Sequence, residues 1–119
     1  MKTNKYGDYF LHFDIMLSKM SMLRRGMLKL LILKMLAKEP LYGYSLMKRI
    51  EKQSSGMWTP SPGSIYPALH SLEKEGYVIS KGLGNRKMYK ITQKGKKSME
   101  KNLDYLKKTK KFIEKVLSI

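Results

Sequence analysis

A mainly helical fold with a small β-hairpin and a long closing helix is what this sequence predicts. Three observations carry the prediction. Apolar residues recur at spacings of 3 and 4 in separate stretches that Pro and Gly punctuate. Two short β-prone runs flank the turn-forming GLGNR. A last amphipathic stretch of roughly 25 residues would be about 37 Å long at 1.5 Å per residue, longer than the domain it leaves. The 119 residues then divide into an N-terminal helical extension (1–20), one compact domain (21–91) and a C-terminal helix (92–119).

In MKTNKYGDYFLHFDIMLSKM, the residues Tyr6, Tyr9, Phe10, Phe13, Leu17 and Met20 form the apolar side of the predicted extension. Asp8, His12 and Asp14 interrupt any apolar region of a signal peptide, and no small-residue cleavage site follows. A start at Met20 or Met22 is the alternative reading. From Met22 to Ala37 the chain is apolar on more than one face, with Leu23, Met27, Leu30, Leu31 and Lys34 on one stripe and Leu28, Ile32, Met35 and Leu36 on another. Such a helix needs contacts on two sides, and Leu28 and Ile32 are expected to face a second copy of the chain. Pro40 and Leu41 end it. Tyr42 to Gln53 is a second, shorter amphipathic helix, with Leu46, Met47 and Ile50 inside and Lys48, Arg49, Glu51 and Lys52 outside.

SSGMWTPSPGS is dense in turn formers. It closes on Ser61 as N-cap and Pro62 at the first helical position, where a missing N–H costs nothing. The third helix runs from Pro62 to Glu75 and stops at Gly76. Ile65, Ala68, Leu69 and Leu72 share its inner face; Gly63, Pro67, His70 and Lys74 lie opposite, flanked by Ser64 and Tyr66. Tyr77–Lys81 and Lys87–Ile91 then pair as a hairpin whose basic tip is Asn85, Arg86 and Lys87. Thr92 caps the final helix, in which Met99, Leu103, Leu106, Ile113 and Leu117, widened by Tyr105, Phe112 and Val116, make an apolar stripe that needs a partner. Two-fold self-association is the simplest way to cover it.

Charge narrows the function. The chain carries 25 Lys plus Arg against 9 Asp plus Glu, a formal net charge of +16. The excess is spread along the chain: +1 for residues 1–20, +6 for 21–59, +3 for 60–91 and +6 for 92–119. A folded body this cationic repels itself and calls for a polyanion, with nucleic acid ahead of an anionic membrane surface. Part of the lysine excess can instead reflect background composition. Because 21 of the 25 are Lys, affinity should come from sequence-blind phosphate attraction more than from bidentate guanine contacts. With no cysteine there is no disulfide, thiolate metal site or thiol nucleophile, which suits a cytoplasmic, nucleoid-associated location. The longest apolar run, Leu30–Leu33, is 4 residues, so no membrane span is expected. No cofactor or metal is expected either: His12 and His70 are the two histidines, and the acids fall mostly on predicted helix exteriors. An enzyme is therefore not expected.

Three helices followed by a hairpin make a winged helix-turn-helix, whose third helix enters the major groove of double-stranded DNA while the wing lies along the backbone. PSPGSIYPALHSLEKEGYV, with LYGYSLMKRI upstream and GNRKMYKITQKGKK downstream, resembles the PadR family of bacterial and archaeal transcriptional regulators. The resemblance runs from Met22 to Gly95; Pro67 inside a helix makes it specific, since helix propensity alone would not place it there. Ser45 departs from the Glu that relatives often carry after the Gly–Tyr pair. The resemblance implies a dimeric regulator, most simply a repressor, with Ser64, Tyr66 and Pro67 facing DNA. In some members an effector binds near the dimer interface, but nothing in this sequence picks one out.

On physical grounds Ser64 can donate to a phosphate or base and Pro67 can meet a thymine methyl, with Ser61 and Gly63 beside them in the first turn. The alternative is that Ser61 and Ser64 only cap and Tyr66 only packs. His70 and Lys74, one turn on, are expected at the backbone. Arg86 and Lys87 are candidates for phosphate or minor-groove contact, against a merely solvated turn. Lys48 and Arg49 either anchor to backbone or form a wet face. Trp58 either plugs the core or lines a ligand pocket. A nonspecific basic binder is the alternative to a sequence-specific regulator.

Overall fold

A computed structural model describes residues 13–119, with side chains from residue 23 onward except that of Asn85. The elements run α1 (Phe13–Leu36), β1 (Leu41–Tyr42), α2 (Gly43–Gln53), α3 (Pro62–Lys74), β2 (Val78–Lys81), a 3₁₀ turn (Gly84–Arg86), β3 (Met88–Ile91) and α4 (Gln93–Ser118). The fold is the expected mainly helical winged helix-turn-helix, with two differences. The helical extension and the helix from Met22 are expected as separate elements, whereas Phe13–Leu36 is one uninterrupted helix, because no Pro or turn-forming cluster separates its ends. Tyr6, Tyr9 and Phe10 lie outside the described residues. The hairpin is also not alone: β1 joins it in a three-stranded antiparallel sheet of order β1-β3-β2.

That third strand is only Leu41–Tyr42, registered on Tyr89 and Met88 of β3. Two residues are too few for alternation to show, and the preceding Pro40 reads as a helix stop. β2 and β3 pair from Val78↔Ile91 to Lys81↔Met88.

The core gathers where α1, α2, α3 and the inner face of the sheet meet, and Ile32, Leu46, Ile50, Ile65, Leu69 and Val78 are its fully buried side chains. Each contributes roughly 1.5–3 kcal/mol by leaving water. Leu28 and Ile32, expected at a dimer contact, are 4% and 0% exposed inside this core. A third helix and a sheet behind α1 already satisfy its second apolar stripe, so neither residue has surface left for another copy.

α4 is fixed at its start. The Thr92 hydroxyl accepts from the Gly95 amide at 3.0 Å and donates to the Gly76 carbonyl at 2.7 Å, joining the end of α3 to the beginning of α4. Gly76 has φ +81°, a left-handed conformation that ends α3 and favours glycine. Gly95 is buried so tightly that a Cβ would collide with the Tyr77 carbonyl oxygen and Ile91 Cγ1. Beyond its first turns α4 leaves the body, and every residue from Lys110 to Ile119 is exposed. Among the described residues no helix is long and apolar enough to cross a membrane.

Candidate nucleic-acid interface

Helix α3 is held by Ile65, Ala68, Leu69 and Leu72, all buried, and it turns Gly63, Ser64, Tyr66, Pro67, His70 and Lys74 outward. Ser61 is the N-cap residue in extended conformation, but its side chain makes no capping bond; its Oγ lies 3.3 Å from the Ser64 Oγ. The cap is the backbone itself, with the amides of Ser64 and Ile65 donating to the Ser61 carbonyl. Both hydroxyls therefore stay at the helix surface, where the positive end of the helix dipole favours anions.

Tyr66 plays two parts. Its ring packs on Gly43, the buried first residue of α2, so closely that a Cβ there would stand 2.7 Å from Cε1. It nonetheless stays 37% exposed. Gly43 thus sets how near α2 and α3 approach, and Tyr66 marks the seam between them. Behind it, burial first, then the charge of Glu73 and the neighbouring Tyr66, push the Tyr89 phenol above its usual range.

The wing tip turns at Gly82 (φ +111°) and Gly84 (φ +55°). Arg86 is exposed and Lys87 partly so, as the sequence anticipates for a basic tip. Leu83, between the two glycines, is 87% exposed, and sequence reasoning passed over it because an apolar residue in a turn gives no periodic signal. On α2 the two predicted cations differ from free surface charges: Arg49 pairs with Glu39 at 3.2 Å, and Lys48 lies 5.6 Å from the centre of the Tyr44 ring.

Trp58 sits half-buried against the core, its backbone amide and carbonyl both bonded by the Ser54 hydroxyl. Arg24 of α1 lies over its indole at 5.7 Å. Arg24, Arg25 and Lys29 therefore border α3, a placement that reading α1 as an amphipathic core helix did not foresee. The signal was there: Arg24–Arg25 is the chain's only pair of adjacent arginines.

Of the residues expected to pair two copies, Met99 packs on the chain's own core and Leu103 and Leu106 are partly covered. Ile113 and Leu117 are 50% and 79% exposed, with Phe112 and Val116 beside them.

A three-helix head, a sheet with a projecting wing and an outward-facing third helix define a winged helix-turn-helix module. The chain belongs to the Transcriptional regulator PadR-like family, whose model matches residues 32–101. It is similar to a transcriptional regulator from Clostridium thermocellum, with a TM-score of 0.74 and 31% identity over 80% of this chain and 94% of that one. It is also similar to Bacillus subtilis PadR crystallised in complex with operator DNA, with a TM-score of 0.55 and 30% identity over 65% of this chain and 47% of that one. Transcriptional regulator YqjI of Escherichia coli is 38% identical over 78 residues, 65% of this chain. This chain covers only 38% of that relative's length.

Proposed function

We propose that the chain is a dimeric, sequence-specific DNA-binding transcriptional regulator that represses by occupying promoter DNA. The observation that carries this reading is the outward face of α3: small and polar, close enough to the surface for a base edge, and fixed from behind by four buried side chains. Ser64, Tyr66 and Pro67 contact bases; Ser61, Gly63, His70 and Lys74 lie against phosphate and sugar; Arg86 and Lys87 reach the backbone or minor groove from the wing. Lys48 and Arg49 take a lesser part, since Arg49 is already paired with Glu39. Ile113 and Leu117, with Phe112, Val116 and the half-covered Leu103 and Leu106, join two copies, so that two α3 helices meet a palindromic site. The protein acts where the genome lies and uses no cofactor.

Because the outward face of α3 carries only Lys74 as a charge and no Arg, guanine readout is weak and selectivity rests on Tyr66, Ser64 and DNA shape. The same observation favours a second reading, a nonspecific basic binder. Selection from a random duplex library decides between them at physiological salt. A palindromic consensus that outcompetes scrambled duplex supports the regulator; equal binding to both supports the nonspecific protein.

A further inference from the structure

Between the middle of α1, from Arg24 to Lys29, and α3 runs an open groove of about 750 Å³. It has three cationic side chains, Arg24, Arg25 and Lys29, and among the described residues no Asp or Glu lines it. We infer that this groove is a second DNA contact, in which α1 holds a stretch of sugar-phosphate backbone beside the strand edge that α3 reads. The inference rests on the DNA-binding reading above and extends it to residues that neither the recognition helix nor the wing contains.

Several observations point to backbone phosphate. Gly63, Ser64 and Pro67 belong both to the outer face of α3 and to the groove wall, so a duplex seated on α3 brings a strand along the groove. Arg24 is pre-placed over Trp58, 5.7 Å from the ring centre, which restrains a long side chain while leaving it exposed. Lys29 is tied to the Ser71 hydroxyl at 2.9 Å and sets a positive charge at the groove floor. The chain's four arginines are also unequally placed: Arg49 is paired with Glu39 and Arg86 is on the wing, whereas Arg24 and Arg25 line this groove. Guanidinium binds phosphate bidentately, and phosphate is the charged component of DNA present at every register.

The test uses the full chain and a mixed-sequence 30-base-pair duplex, with affinity followed by anisotropy across a salt series. The variant R24Q/R25Q is compared with K107Q/K111Q, which removes the same charge from exposed positions of α4. Each lost phosphate contact lowers the salt slope by about 0.9, so R24Q/R25Q should lose about 2 per protomer while K107Q/K111Q keeps nearly the wild-type slope. R24K/R25K should retain it, because Lys serves phosphate as a point charge. As the sole tryptophan, Trp58 should also change its emission on duplex binding. Equal slopes for R24Q/R25Q and K107Q/K111Q would overturn the inference. So would millimolar inorganic phosphate reproducing the whole emission change without competition from duplex, which would make the groove a small-anion site. A wild-type protein that binds no duplex at any salt would instead remove the DNA-binding reading itself.

Discussion

Placing the same methyl group at two glycines should produce opposite phenotypes. At Gly43 an added Cβ meets Tyr66 Cε1 at 2.7 Å, about 1 Å inside ordinary contact. The obstacle is the end of a side chain that is 37% exposed, so the ring can swing outward. Overpacking costs about 1–3 kcal/mol where nothing yields, and this site yields; exchanging Gly for Ala in a helix also returns up to about 1 kcal/mol. Gly43→Ala should therefore stay within about 1 kcal/mol of wild-type stability, a change in Tm of no more than about 4–8 °C. Its cost falls on binding. Displacing Tyr66 removes a base contact of about 1–3 kcal/mol, so affinity for a selected site should fall roughly fivefold or more while affinity for bulk DNA holds. At Gly95 the colliding atoms are the Tyr77 carbonyl oxygen and Ile91, which cannot leave, and Gly95→Ala should lower the Tm by about 8 °C or more. Thermal melts at one fixed protein concentration and competition binding measure both. If Gly43→Ala bound its selected site with unchanged affinity, Gly43 would not set the position of Tyr66 and the assignment of Tyr66 to base contact would fail.

Further outcomes follow from other parts of the molecule. Ile113→Lys should weaken self-association at least tenfold, since burying such a side chain is worth about 1.5–3 kcal/mol; light scattering at micromolar concentration checks it, and an unchanged mass would move the dimer contact off α4. Pro67→Ala should raise stability by up to about 3 kcal/mol, because Pro67 sits inside α3, yet weaken operator binding; a lower Tm would show Pro67 to be a packing residue. The Tyr89 phenol is raised in the folded state by burial, Glu73 and Tyr66, so the folded protein holds that proton more tightly than the unfolded chain. Stability is then fully present below pH 10 and is lost as pH rises through the folded value. Tyr89→Phe should flatten this alkaline decline in denaturant titrations, and an identical decline would place its cause elsewhere.

The parts of the fold with strong periodicity were legible. α3 reads from Pro62 to its glycine stop because Ser–Pro opens it, four apolar residues repeat at helical spacing, and Gly76 closes it. The outward set of α3 follows from the same repeat, as does the exposed stripe of α4. What escaped was tertiary. β1 is two residues long and exists only through pairing with β3. Leu28 and Ile32 look alike whether the partner is another chain or the domain's own sheet and helices, and the number of layers over α1 is not written in α1. Arg24 and Arg25 become part of a candidate surface only once α1 lies beside α3. Arg49 loses its freedom to Glu39, ten residues away and across the β1 turn.

β1 has a mechanical consequence out of proportion to its length. It leads directly into Gly43, so the strand that binds the wing's β3 is continuous with the helix on which Tyr66 rests. A load on the wing passes through the Leu41–Tyr89 and Tyr42–Met88 pairs into α2 and from there to α3. Wing and α3 are therefore linked through α2. In a two-fold assembly, adjustment to a differently spaced pair of half-sites would fall to α4, whose residues from Lys110 to Ile119 are all exposed.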